Sequence, residues 1–137
     1  MDKLKEMITL HEGLRLSPYK CTAGKLTIGV GHNLDDKPIS KEAAMMILDD
    51  DIHDCFLDLN RSLPFWTSLD EVRQAVLIDM CFNLGISRLL GFKNFLSALE
   101  EGDYERASAE MLDSRWADQV GQRAERLSEM MISGDWY

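Results

Sequence analysis

The chain has 137 residues and a formal net charge of −9, with an isoelectric point near 4.7. An acidic balance of this size argues against nucleic acid and anionic membrane surfaces as partners, and no apolar run reaches membrane-spanning length, which excludes stable membrane insertion by a helix. The length suits one folding domain able to bury a core unaided, without linkers, repeats or low-complexity stretches.

Leu4, Met7 and Ile8 recur at helical spacing, so residues 2–12 read as a short amphipathic helix with Gly13 just past its end. Glu12 closes that helix, where the helix dipole disfavours a carboxylate and so suits a group that must carry a proton. The texture then changes. Tyr19, Leu26, Ile28 and Val30 favour strand, and Thr22-Ala23-Gly24-Lys25 supplies a turn. A hairpin here places Cys21 near its tip and Thr27 on the return strand, and Gly29 and Gly31 mark a twist or a close backbone approach. Glu12, then Cys21 after eight intervening residues, then Thr27 after five more, set an acid beside a thiol and a hydroxyl. Such a set can protonate a leaving oxygen from one side and steer a water from the other, which cleavage of a glycosidic bond requires.

Ser40 is the expected N-cap of a helix over about 40–60. Thr67 and Ser68, with Asp70 and Glu71 three positions on, give overlapping capping-box signals before a helix from Val72 to Leu84. That run is apolar on nearly every side and reads as a buried central helix. Shorter helices are expected over 92–101, 103–113 and 121–132. Cys55 and Cys81 fall on apolar helical faces and read as free, buried thiols. The odd cysteine count argues against a disulfide framework, and neither the histidines nor Asp49-Asp50-Asp51 have a metal motif's spacing. No metal or other cofactor is expected.

Glu12-Gly13-Leu14-Arg15-Leu16, Tyr19-Lys20 and Thr27-Ile28-Gly29-Val30-Gly31-His32 resemble the lysozymes of T-even and lambdoid phages, glycoside hydrolase family 24. The likeness continues through Phe82-Asn83-Leu84-Gly85, Ser114-Arg115-Trp116, Gln122-Arg123-Ala124 and Gly134-Asp135-Trp136 in the family's order. It implies an α+β, mainly helical fold in two lobes. The small hairpin lobe spans about 13–40, the connecting helix about 40–60, and the helical lobe about 61–137 together with the N-terminal helix 2–12. The implied activity is a muramidase cutting the β-1,4 bond between N-acetylmuramic acid and N-acetylglucosamine in peptidoglycan, for host cell lysis. Such a protein is expected to be a monomer that stays in the host cytoplasm until a holin or other route releases it to the wall.

Carried over by position, Glu12 matches the family's proton donor and Thr27 its water-positioning hydroxyl. Cys21 stands where the best-known members have aspartate, and the family pattern accepts either. Arg123 matches a basic residue that orients the glutamate, and His32 and Asp51 match a buried pair that ties the hairpin lobe to the long helix. Asn33, Phe82, Phe95 and Glu110 fall at or near positions that line the sugar cleft, or else serve packing and surface. Asn33 to Ser40 is a single loop, much shorter than its counterpart in the T-even enzyme. The acidic surface and Cys21 also fit a second reading, a muramidase-like module that binds glycan or a protein partner without cutting.

Overall fold

The computed structural model describes residues 1–137. Helix α1 (Asp2–Glu12) ends on Gly13, whose φ of 79° turns the chain out of the helix at little steric cost. Strands β1 (Arg15–Lys20), β2 (Leu26–Gly29) and β3 (His32–Asn33) follow as an antiparallel sheet in chain order. Tyr19 pairs with Thr27 and Thr27 with Asn33, so Thr27 occupies the central strand. The register slips between Arg15 and Tyr19, in the strand that contains Pro18. The hairpin is as expected; the third strand adds to it.

Ser40 caps α2 (Lys41–Ser62) by accepting from the Ala43 N–H at 3.1 Å. The predicted cap of the next helix is different. Thr67 and Ser68 lie in a 3₁₀ turn (Trp66–Ser68), where the Ser68 hydroxyl donates to the Phe65 carbonyl at 2.6 Å. Asp70 is the N-cap of α3 (Glu71–Leu84), accepting from the Arg73 N–H at 3.2 Å. Burial would push the Asp70 carboxyl up, but the Arg73 N–H and guanidinium outweigh it and hold it below its ordinary value. After α3 come α4 (Ile86–Leu90), α5 (Lys93–Glu100), α6 (Tyr104–Leu112), α7 (Arg115–Val120) and α8 (Gln122–Ser133). The three predicted short helices are α5, α6 and α8. Helices α4 and α7 were not expected.

The chain divides into two compact units, Met1–Ile47 and Leu48–Tyr137, with the boundary inside α2. The first unit holds α1 and the sheet. In the second, α8 packs on α3, α6 and α7, and α5 packs on α6. Its core includes Leu59, Trp66, Val76, Leu77, Met80, Leu89, Phe95, Leu99, Met111 and Met131, each almost fully buried. Burying one such side chain contributes about 1.5–3 kcal/mol, so this unit has a firm apolar centre.

Arg73 locks that centre from its edge. Its guanidinium donates to the Met131 and Ile132 carbonyls at the end of α8, both at 2.9 Å, and lies 3.5 Å above the Tyr104 ring. These carbonyls are ones a helix end leaves without intrahelical partners. Arg73→Met should therefore lower stability by about 3 kcal/mol, combining charged hydrogen bonds with the cation–π contact. Thermal unfolding followed by circular dichroism should show a fall on the order of 10 °C. A shift below about 2 °C would mean that the clasp adds little.

Candidate active site

The acid, the thiol and the hydroxyl all belong to the first unit. Cys21 follows β1 and closes the hairpin: its N–H donates to the Lys25 carbonyl at 2.9 Å, and its carbonyl accepts from Gly24 at 2.8 Å. Cys21 is half-buried, and the backbone of Lys25 and Ala23 together with the Thr27 hydroxyl favours its ionised form. Together they hold the thiol below its ordinary value of 9.0, with Lys25 the largest influence, against the opposing effect of burial. A larger share of Cys21 is thus thiolate near neutrality than for a free cysteine.

Thr27 is only 3 % exposed, and its hydroxyl donates to the Lys25 carbonyl at 2.9 Å. With its proton given to Lys25, the oxygen retains lone pairs that can accept from a thiol or a water. Once the thiol ionises, the same hydroxyl can donate to sulfur instead. Lys25 therefore acts on both groups: its backbone favours the ionised sulfur, and its carbonyl accepts from the Thr27 hydroxyl.

Glu12 ends α1, and its carboxyl lies over Gly31. A Cβ built on Gly31 would sit 2.7 Å from Glu12 Oε2. The close backbone approach expected at the hairpin glycines is thus made by the candidate acid itself. Asn33 is occupied otherwise: its amide donates to Asp36 Oδ2 at 2.9 Å, and its Oδ1 accepts from the Asp36 N–H at 3.1 Å. These bonds pin the short loop that leads to Ser40. That loop holds no helix, as expected.

His32 and Asp51 fall in different units, His32 in the first and Asp51 in the second. The His32 Nε2–H donates to the Lys37 carbonyl at 3.0 Å, a partner from the same loop, and the ring is half-buried. Asp51 is exposed on α2. A shortened loop brings Lys37 within five residues of His32, so a local backbone acceptor is available to the ring.

In the second unit, Arg123 forms an ion pair with Asp79 that the sequence reading did not foresee. Nε donates to Asp79 Oδ1 at 2.7 Å, and the two groups are similarly half-exposed. Both border an apolar pocket of about 490 Å³ with Phe82, Ile78, Met130 and Trp136. Phe82 is 45 % exposed and free to meet a ligand. Phe95, by contrast, is 1 % exposed and stands edge-to-face with Phe92, so its first role is packing. Phe95 and Glu110 border a smaller polar recess of about 220 Å³ with Asn94 and Ser114.

Cys55 and Cys81 influence each other's ionisation, a coupling that their positions on separate helices did not reveal. Burial pushes both thiols up, Cys81 to about 12, so both stay protonated where Cys21 ionises.

A helix ending on an acid, a hairpin bearing an acidified thiol and a hydroxyl, and then an all-helical unit have the build of a lysozyme-like protein. The chain belongs to the phage lysozyme family, whose model matches residues 9–129. It is 33 % identical to an endolysin of Acyrthosiphon pisum secondary endosymbiont phage 1 over 115 residues, covering 81 % of this chain and 75 % of that protein. It is 28 % identical to the probable T4-type lysozyme 1 of Dictyostelium discoideum, covering 98 % of this chain and 96 % of that protein. A similar 28 % identity links it to the pre-baseplate central spike protein Gp5 of Enterobacteria phage T4, where the match covers 96 % of this chain. The chain spans only 28 % of that spike protein's length. Membership in this family supports glycoside hydrolase activity, with peptidoglycan as the implied substrate. No helix is long and apolar enough to cross a membrane.

Proposed function

We propose that the protein is a muramidase that hydrolyses the β-1,4 bond between N-acetylmuramic acid and N-acetylglucosamine, acting as an endolysin once it reaches the wall from the host cytoplasm. What supports this reading is that Glu12, Cys21 and Thr27 fall within one unit of the chain, where the backbone around Cys21 holds its thiol below its ordinary value. Glu12 gives its proton to the glycosidic oxygen as the bond opens. The Cys21 thiolate serves the anomeric carbon, either by taking a proton from the attacking water or by bonding to the carbon itself. Thr27 accepts from that water through its free lone pairs and holds it for attack. Phe82 offers an apolar face to a sugar ring, and Glu110 an acceptor for its hydroxyls. Arg123, held by Asp79, is proposed as a supporting residue.

Turbidity of permeabilised Gram-negative cells is the direct test, and the optical density should fall on addition of the protein. Intact turbidity, together with binding to sedimented walls, would favour the non-cutting glycan-binding module instead. Surface charge gives that assay a further signature. Because protein and wall are both negative, added salt screens repulsion. Activity should hold or rise from low ionic strength to about 0.15 M, where the Debye length is about 8 Å. A steep fall over that range would reveal a local basic patch acting against the net charge.

A further inference from the structure

We infer that Gly31 is a positioning residue for Glu12: its missing side chain leaves the volume that the Glu12 carboxyl occupies. The inference rests on Glu12 being the acid of the proposed reaction, and the geometry that suggests it is local. A Cβ at Gly31 would stand 2.7 Å from Glu12 Oε2, 3.0 Å from Cδ and 3.2 Å from Cγ. The whole end of the side chain therefore rests on the glycine. These distances lie inside ordinary van der Waals contact, so an alanine would displace the flexible end of Glu12 and with it the carboxyl.

A second property of Gly31 has to be separated from the first. Its φ is +66°, a conformation that favours glycine whatever lies nearby. Gly29, two residues earlier in the same hairpin, has φ +72° but open space where its Cβ would go. Gly13, beside Glu12 in sequence, likewise has φ +79° and nothing within 4 Å. These glycines answer to backbone conformation alone. Gly31 answers to backbone conformation and to the acid.

The consequence is a division of labour around Glu12. The end of α1 supplies the carboxyl, and the turn between β2 and β3 supplies a smooth surface that fixes where it lies. A general acid displaced by about 1 Å from the leaving oxygen can lose as much as a hundredfold in rate. Gly31→Ala should therefore lower kcat about tenfold or more while leaving KM near the wild-type value, since an interaction made in the transition state is what is lost. Gly29→Ala, which carries the same backbone strain, should keep most of the activity.

The decisive readout does not depend on catalysis. The side-chain carboxyl ¹³C resonance of Glu12 should move in Gly31→Ala and stay in place in Gly29→Ala. A thermodynamic cycle adds a measure that survives poor folding of the single variant. In a Glu12→Ala background the crowding is gone, so Gly31→Ala should cost clearly less stability there than in the wild type. Equal cost in both backgrounds, or an unmoved Glu12 resonance, would overturn the positioning role. Full activity of Glu12→Gln would instead overturn the assignment of Glu12 as acid, with the resonance and the cycle still reporting on the contact.

Discussion

Glu12→Gln is expected to lose at least about a hundredfold in the rate of wall cleavage, the lower bound for general acid catalysis. Glutamine keeps the size and hydrogen-bonding capacity of the side chain but has no acidic proton for the leaving oxygen. It also keeps the shape that rests on Gly31, so the hairpin and the unfolding temperature should be unchanged. The loss should appear in kcat and in kcat/KM together, as it does when a transition-state interaction is removed. Near wild-type lysis by this variant would rule Glu12 out as the acid.

The second large effect concerns Cys21. Cys21→Ala should abolish activity, and Cys21→Ser should be nearly as damaging, because a hydroxyl does not ionise in the working range. Cys21→Asp should retain substantial activity, since a carboxylate is ionised from about pH 4 upward. The wild-type rate should climb with pH as the thiol loses its proton. The climb should begin earlier than for an ordinary cysteine, because Lys25, Ala23 and Thr27 hold Cys21 below 9.0. A thiol reagent should inactivate the wild type and spare the aspartate variant. Cys55 and Cys81 are both shifted upward, Cys81 to about 12, and remain poorly reactive thiols. Full activity in Cys21→Ala would leave Glu12 and a water held by Thr27 to perform the chemistry without it.

What the sequence disclosed and what it hid follow from the range of the interactions. Helix α1, the hairpin and the Ser40 cap depend on neighbours within a few residues, so periodicity and turn composition revealed them. Helices α4 and α7 are only five and six residues long, too short to build an apolar period. Strand β3 has two residues and no alternation to read. Asp70 displaced Thr67 and Ser68 as the cap because the two hydroxyl residues were drawn into the preceding 3₁₀ turn. The capping-box pattern put Asp70 in the role of partner, so its own capping of α3 was not read.

The site divides along the same line. Glu12, Cys21 and Thr27 can be nominated from the sequence because their spacing around a turn is a local property. The Lys25 amide and carbonyl that tune Cys21 and Thr27 belong to the backbone, and no side-chain pattern announces them. The Arg123–Asp79 pair joins residues 44 apart, and the Glu12–Gly31 contact joins α1 to the turn between β2 and β3. Gly31 could be flagged as a close approach, but what approached it was not readable. The His32 hydrogen bond to the Lys37 carbonyl is also a backbone contact that no side-chain pattern announces.

The most direct test is the chemical identity of the products. Purified peptidoglycan digested with the protein, reduced and analysed by mass spectrometry should yield fragments whose new reducing ends are N-acetylmuramic acid, with one water added per bond cut. New reducing ends on N-acetylglucosamine, anhydro-sugar ends formed without water, or no new ends at all would contradict a muramidase built on Glu12, Cys21 and Thr27.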